Sequence, residues 1–303
     1  MMDDAHINSI IDYVIRELSD GEDFSVPHSA PPTPVAFDPA PGDGMFHDPD
    51  SAVAGAESAF EQLQAMPLDR RKQIIAAMRA TAREHAQVLA QMAVEETNIG
   101  RYEDKVQKNL LVANKTPGPE FLDTMAWTGD GGLTLTEYAP YGIIASITPV
   151  TNPTATIINN SISMISAGNA VVFNVHPGAQ QCSAYAIMLL NRAIQSASGP
   201  PNLLTCIAEP TIESAQALMV HKRVRLLAVT GGIGVVRQAM QSGKRAVCAG
   251  PGNPPVVVDD TADIEQAGRD VVRGGSFDNN VMPNRLSLTL AVFTPSKHRR
   301  SSL

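Results

Sequence analysis

Thr230-Gly231-Gly232-Ile233-Gly234 follows the apolar run 226–229 and opens a helical pattern over 235–241, so it reads as strand, glycine-rich turn and helix. Glycines at such a turn let backbone N–H groups approach an anion closely at the positive end of a helix, which suits a pyrophosphate. The run is not a complete G-x-G-x-x-G and has no acidic ribose partner at the usual distance, so a merely tight turn competes with that reading. Pro149-Val150-Thr151-Asn152-Pro153 lies after a second apolar run, 143–147, and opens another helix. A Thr-Asn pair fixed between prolines offers side-chain donors to a developing negative charge. Helix capping by Asn152 or Thr154 explains the same residues. A third segment, Cys248-Ala249-Gly250-Pro251-Gly252-Asn253-Pro254-Pro255, is a turn-dense link between two strands that brings backbone close to a ligand or to a neighbouring strand.

The elements that must position these segments alternate. Short β-rich runs are predicted at 143–147, 170–175, 203–207, 226–229, 246–248 and 256–259, with helices at 154–167, 179–196, 212–220, 235–241 and 263–273 between them. Alternation of this kind predicts a doubly wound, Rossmann-like α/β domain, which binds ligands beyond the carboxyl ends of its strands. Upstream, residues 50–100 are helical in character, with Pro67 at the junction of two helices.

At 303 residues and 44% hydrophobic, the chain is long enough for one or two ordinary cores. A net charge of −8 without clustered Lys and Arg in the main body argues against a nucleic-acid surface. The charge is uneven: residues 284–303 hold Arg285, Lys297, Arg299, Arg300 and no acid, leaving 19 basic against 31 acidic in 1–283. No apolar run reaches membrane-spanning length, and the N-terminus carries Asp3 and Asp4 rather than a basic leader, so a cytoplasmic protein is expected. The three cysteines, Cys182, Cys206 and Cys248, lack the close spacing of a metal site or disulfide framework and fit a reducing compartment. Cys182 falls in a predicted helix and Cys206 in a predicted strand, where small buried thiols are expected.

Ile7, Ile10, Ile11, Val14 and Leu18 stand at helical spacing against a polar face, predicting an amphipathic helix over 4–18. From 21 to 49, seven prolines among Gly, Ser and Asp predict a semi-extended linker. A tethered apolar helix face docks either on its own domain or on another protein.

Taken in order, together with Glu95-Glu96-Thr97-Asn98-Ile99-Gly100 upstream and Ser276-Phe277-Asp278-Asn279-Asn280 downstream, these segments carry a family resemblance. The chain resembles the aldehyde dehydrogenase superfamily, and within it the CoA-acylating acetaldehyde and propionaldehyde dehydrogenases of bacterial microcompartments. The likeness covers about 50–280 and is densest at 148–154, 157–164, 175–179, 230–234 and 252–255. It implies NAD as cofactor, coenzyme A as co-substrate and a short aldehyde as substrate. It further implies Asn152 as oxyanion donor, Thr230, Gly231, Gly232 and Gly234 beside the NAD pyrophosphate, and His176 near the adenosine end. A homo-oligomer, a microcompartment lumen and a shell protein that receives residues 4–18 are also implied.

Two departures bear on chemistry. Hydrolytic members of the superfamily have a Glu-Leu-Gly-Gly stretch whose Glu activates water; the matching run here, Cys248-Ala249-Gly250-Pro251, has no carboxylate, so the acyl group goes to a thiol such as CoA. In the acylating family Phe-Asp-Asn leads within a few residues to the nucleophilic Cys, whereas Phe277-Asp278-Asn279-Asn280-Val281-Met282 leads here to Pro283. Since the family chemistry needs a covalent thiohemiacetal, no turnover is expected. Beyond Pro283 the likeness ends, and the basic tail reads as a frame change or early stop, with the catalytic domain and dimerisation region largely missing. The expected layout is a targeting-type helix over 1–20, a linker over 21–49, an NAD-binding domain with N-terminal helices over 50–280, and an atypical tail over 281–303. The alternative is a cofactor-binding or microcompartment-targeted fragment without catalysis.

Overall fold

The computed structural model describes residues 37–252, 256–259, 261–281 and 290–293. The amphipathic stretch 4–18, most of the proline-rich segment and Pro283 lie outside the described residues. The described residues fall into two compact units divided between Gly250 and Pro251. Proline lacks the N–H that would carry a sheet ladder onward, and the last strand before it stops at Ala249.

In the larger unit, α1 (Pro49–Gln64) starts where the Asp48 side chain accepts from Ser51 N–H at 2.9 Å, with proline in the first turn. It buries Ala52, Val53, Ala56, Ala59 and Leu63, a single stripe at helical spacing. Pro67 separates it from α2 (Leu68–Glu84), which buries Ile74, Ile75, Met78 and Ala82. α3 (Ala86–Thr97) ends on Asn98 in the left-handed region, φ 53°. α4 (Tyr102–Lys115) is unusual, because Asp104, Lys105 and Asn109 lie among its buried residues.

A hairpin of β2 (Met125–Gly129) and β3 (Gly132–Thr136) turns through Asp130-Gly131 and is exposed along almost its whole length. The six-stranded sheet comprises β1 (Met45–Phe46), β4 (Ile143–Ile147), β5 (Ala170–Asn174), β6 (Leu204–Ile207), β7 (Val224–Thr230) and β8 (Arg245–Ala249). All pairings are parallel, in the order β1-β6-β5-β4-β7-β8. Every residue of β4 and β5 is buried, as expected of central parallel strands covered on both faces. The covering helices are α5 (Pro153–Ser166), α6 (Gln180–Ser196), α7 (Ile212–Val220) and α8 (Ile233–Gln241). The doubly wound α/β expectation therefore holds, and Ile157, Ile158, Ile162 and Ile165 of α5 pack in one core with Phe173 and Tyr185.

Two sequence expectations need correction. The linker expected to run to 49 is structured before that: Met45 and Phe46 pair with Cys206 and Ile207, and Asp43 is buried. The glycines that look like linker are the joint itself. Gly44 has φ +89°, and a Cβ there would sit 2.1 Å from the Leu204 carbonyl oxygen, so only glycine lets the strand approach β6. Arg192 then grips Asp43, with Nη2 to Oδ2 at 2.7 Å and Nε to both carboxylate oxygens at 3.2 Å. Replacing Arg192 by Ala leaves this buried carboxylate without its cation, and urea unfolding should show a loss of about 2 kcal/mol. The second correction concerns β9 (Val256–Asp259), which belongs to the smaller unit and pairs with β10 (Leu290–Phe293) rather than extending the main sheet. That unit also holds α9 (Ile264–Ser276), capped by Asp263, and a turn at Phe277–Asn280. No helix among the described residues is long and apolar enough to cross a membrane.

Candidate functional site

The chain winds from β4 to β5 and β6 on one side of the sheet, then returns to place β7 and β8 on the other. Winding reverses between β4 and β7, and a reversal of this kind opens a crevice beyond the carboxyl ends of the two strands. Ile147 pairs with Val229, so the β4 exit and the β7 exit lie side by side. The sequence-selected residues Asn152, His176 and Thr230 to Gly234 all follow strands at this edge.

After β4, the Thr148 hydroxyl is buried with no hydrogen-bond partner among the described residues. Asn152 occupies the N-cap place of α5, yet its side chain makes no capping bond there. Its Oδ1 instead accepts from Lys108 Nζ at 2.9 Å. Lysine carries only donors, so the oxygen must be the atom facing it, and the amide nitrogen of Asn152 is turned away. Lys105, itself buried, donates from Nζ to the Thr151 carbonyl at 3.0 Å. Thr154, the other capping candidate, donates to Asn109 Oδ1 at 2.9 Å, and Asn109 donates to the Ala86 carbonyl at 3.0 Å. The polar inward face of α4 thus holds the loop 148–152 in place. Residue spacing hides this: Lys105 and Lys108 share a face at i, i+3, but a buried face made of Asp, Lys and Asn has no hydrophobic period to reveal it.

After β5, His176 is exposed and caps a short turn, Pro177–Ala179, by accepting the Gly178 N–H on Nδ1 at 3.0 Å. A Cβ at Gly178 would stand 3.3 Å from that Nδ1 and 3.6 Å from Val150 Cγ2, so the turn after β5 lies against the β4 loop at Gly178. At the start of α6, Glu96 from the end of α3 accepts from the backbone N–H groups of Gln181 at 2.7 Å and Cys182 at 2.8 Å. A carboxylate already occupies this positive helix end.

After β7, Gly231 N–H donates to the Ala249 carbonyl at 3.1 Å, and a Cβ on Gly231 would lie 2.8 Å from Val235 Cγ1. Gly231 is required by packing. Gly232, the N-cap of α8 with φ −66°, and Gly234 differ: a Cβ on either meets nothing within 4 Å. Neither backbone nor packing demands glycine at these two positions, and the space outside them is open. The first N–H groups of α8 have no intrahelical acceptor and stand beside this open space.

The thiols point the other way chemically. Burial pushes the Cys206 thiol up to about 12 and raises Cys248. Cys182 is raised by burial first and then by the neighbouring Glu96 charge. A thiol with its pKa raised is less ionised at any given pH, so none of the three is an activated nucleophile. At pH 8 a thiol reagent should modify half-buried Cys248 first and buried Cys182 and Cys206 at least ~100-fold more slowly, with all three alike after denaturation. Rapid native labelling of Cys206 would contradict this picture.

The chain belongs to the aldehyde dehydrogenase family, whose model matches residues 43–280. Its likeness narrows to acylating members. It is 51% identical over 240 residues to the acetaldehyde dehydrogenase (acetylating) of Bilophila wadsworthia, covering 79% of this chain and 49% of that one. The propionaldehyde dehydrogenase from the Clostridium phytofermentans fucose utilisation bacterial microcompartment superposes with a TM-score of 0.77 at 49% identity, over 78% of this chain and 55% of that one. The Rhodopseudomonas palustris propionaldehyde dehydrogenase with bound propionyl-CoA gives 0.78 at 46% identity, over 80% and 54%. The chain spans about half the length of the curated relatives it matches.

Proposed function

We propose that this chain carries the nucleotide-binding part of a CoA-acylating aldehyde dehydrogenase, that it binds NAD in the crevice beyond β4, β5 and β7, and that it does not itself turn over aldehyde. The observation that carries the cofactor reading is the pair Gly232 and Gly234, whose Cβ positions are empty although the protein does not require glycine there. Thr230, Gly231, Gly232 and Gly234 approach the pyrophosphate at the N-terminus of α8. His176 stands at the adenosine end.

The ancestral reaction converts a short aldehyde, CoA and NAD to acyl-CoA, NADH and a proton. Bound nicotinamide supplies the hydride acceptor. In that reaction the Asn152 amide, whose oxygen accepts from Lys108, would donate to the oxyanion of the thiohemiacetal and to the carbonyl oxygen of the thioester. With Cys248 where a hydrolytic enzyme has its carboxylate, no base activates water, and CoA is the natural acyl acceptor. Proline at 283 and three thiols of raised pKa leave the first covalent step without a nucleophile. Calorimetric titration of the purified chain with NAD tests the binding reading. Saturable one-to-one binding is expected, and no heat at millimolar NAD would refute it.

We further propose that residues 4–18 dock on a microcompartment shell protein and so bring the chain to the lumen. The apolar face of that stretch and the microcompartment source of a solved relative support this. Residues 1–20 fused to a fluorescent protein should give puncta in cells with assembled compartments; diffuse signal would count against docking.

A further inference from the structure

The sequence holds three Asp-Gly pairs, Asp20-Gly21, Asp43-Gly44 and Asp130-Gly131. Glycine has no side chain to shield its backbone nitrogen, so at such a pair that nitrogen can reach the carboxyl carbon of the preceding aspartate and close a succinimide ring. Asp20 lies outside the described residues. The other two pairs stand in opposite settings.

Asp43 is locked. Its side chain is buried, accepts from the Ala40 N–H at 2.8 Å, and has both carboxylate oxygens tied to Arg192. Turning its Cγ toward the Gly44 nitrogen would break these charge-assisted bonds. Gly44 is fixed as well, because its carbonyl accepts from the Cys206 N–H at 2.7 Å.

Asp130 is not held in this way. It is exposed at the tip of the β2–β3 hairpin, and among the described residues its carboxylate has no hydrogen-bond or ion-pair partner. The ladder closes at Gly129 and Gly132, so the Gly131 N–H lies outside it. A Cβ built at Gly129, Gly131 or Gly132 meets nothing within 4 Å, which leaves room for the ring and for water.

We propose that Asp130-Gly131 is a site of isoaspartate formation, and that its product is a substrate for a carboxyl methyltransferase specific for isoaspartyl groups. The Gly131 nitrogen attacks Cγ of the protonated Asp130 carboxyl. The N–Cγ bond forms, a Cγ–O bond breaks, and the hydroxyl leaves as water with the proton from the nitrogen. Water then opens the imide at either carbonyl, restoring aspartate or leaving the chain to run through Cβ and Cγ with the α-carboxylate free. Only water leaves and enters, so the mass of the product is unchanged. The added backbone carbon falls inside a two-residue turn whose dihedrals set the pairing of Gly129 with Gly132, and so loosens the hairpin at its tip.

The test is to incubate the purified full chain for weeks at neutral pH, native or unfolded in guanidinium chloride, and to map isoaspartate by methyltransferase labelling and by retention shift at unchanged mass. Cleavage after glutamate puts Asp20, Asp43 and Asp130 in separate fragments, 18–22, 24–57 and 121–137. The native chain should gain isoaspartate in 121–137 and none in 24–57, whereas the unfolded chain should gain it in both. Gly131→Val, whose branched side chain shields the nitrogen while Asp130 stays in place, should lose the label from 121–137. No isoaspartate in 121–137 of the native chain, an equal amount in 24–57, or undiminished label in Gly131→Val would overturn the proposal.

Discussion

Purified protein supplied with propionaldehyde, NAD and CoA should produce no steady NADH. Covalent aldehyde oxidation begins with attack by a thiolate, and removing the nucleophile of a covalent enzyme commonly costs about 10⁶ in rate. Position 283 is proline. The three thiols do not substitute for it. Burial raises the Cys206 thiol and so keeps it protonated at pH 8, and Cys182 is shifted upward as well. The sign is unambiguous, since raising the pKa of a thiol lowers its thiolate fraction at neutral pH. Continuous formation of NADH, dependent on both aldehyde and CoA, would refute the inactivity assigned to this chain.

Gly234→Ala should make the protein more stable and worse at binding NAD. Alanine has less backbone freedom to lose than glycine and the higher helix propensity, Gly234 lies in the first turn of α8, and a Cβ at 234 meets no protein atom within 4 Å. Thermal unfolding should therefore shift upward. The same methyl group stands in the space assigned to the pyrophosphate, and the larger Gly232→Val and Gly234→Val changes should weaken NAD at least ~30-fold, or about 2 kcal/mol. Gly231→Val provides the contrast, because its side chain would collide with Val235 and so damage the fold itself. Opposite signs on stability and affinity at one position distinguish a ligand-facing glycine from a turn glycine. If Gly234→Ala leaves NAD affinity unchanged, the open space at α8 is not the cofactor site.

The sheet was legible in the sequence for a physical reason. β4 and β5 are buried on both faces, so they read as unbroken apolar runs, and the segments between them have helical length and polarity. Legibility failed where burial is polar, local or absent. The inward face of α4 carries Asp104, Lys105 and Asn109, and no apolar stripe announces it. The β2–β3 hairpin is exposed on nearly every residue, so no alternation of buried and exposed positions marks it. β1 has only two residues, set among the glycines and prolines that elsewhere mean linker. The composition of β9 identifies it as a strand but says nothing of its partner, since pairing with β10 is a long-range choice.

At the site, the glycine turn was visible as strand, turn and helix, yet only the packing separates Gly231 from Gly232 and Gly234. The position of Asn152 before Pro153 fits a helix cap just as well. Its bond to Lys108, 44 residues away, is what argues otherwise.

Thermal unfolding of the purified chain across a range of NAD concentrations decides whether the crevice beyond β4, β5 and β7 takes the dinucleotide. A ligand that binds only the native state raises its stability by RT ln(1 + [L]/Kd), about 2.7 kcal/mol at one hundred times Kd. A cooperative transition is expected whose midpoint climbs with NAD while no NADH accumulates on adding aldehyde and CoA. A midpoint that does not move at millimolar NAD would contradict it.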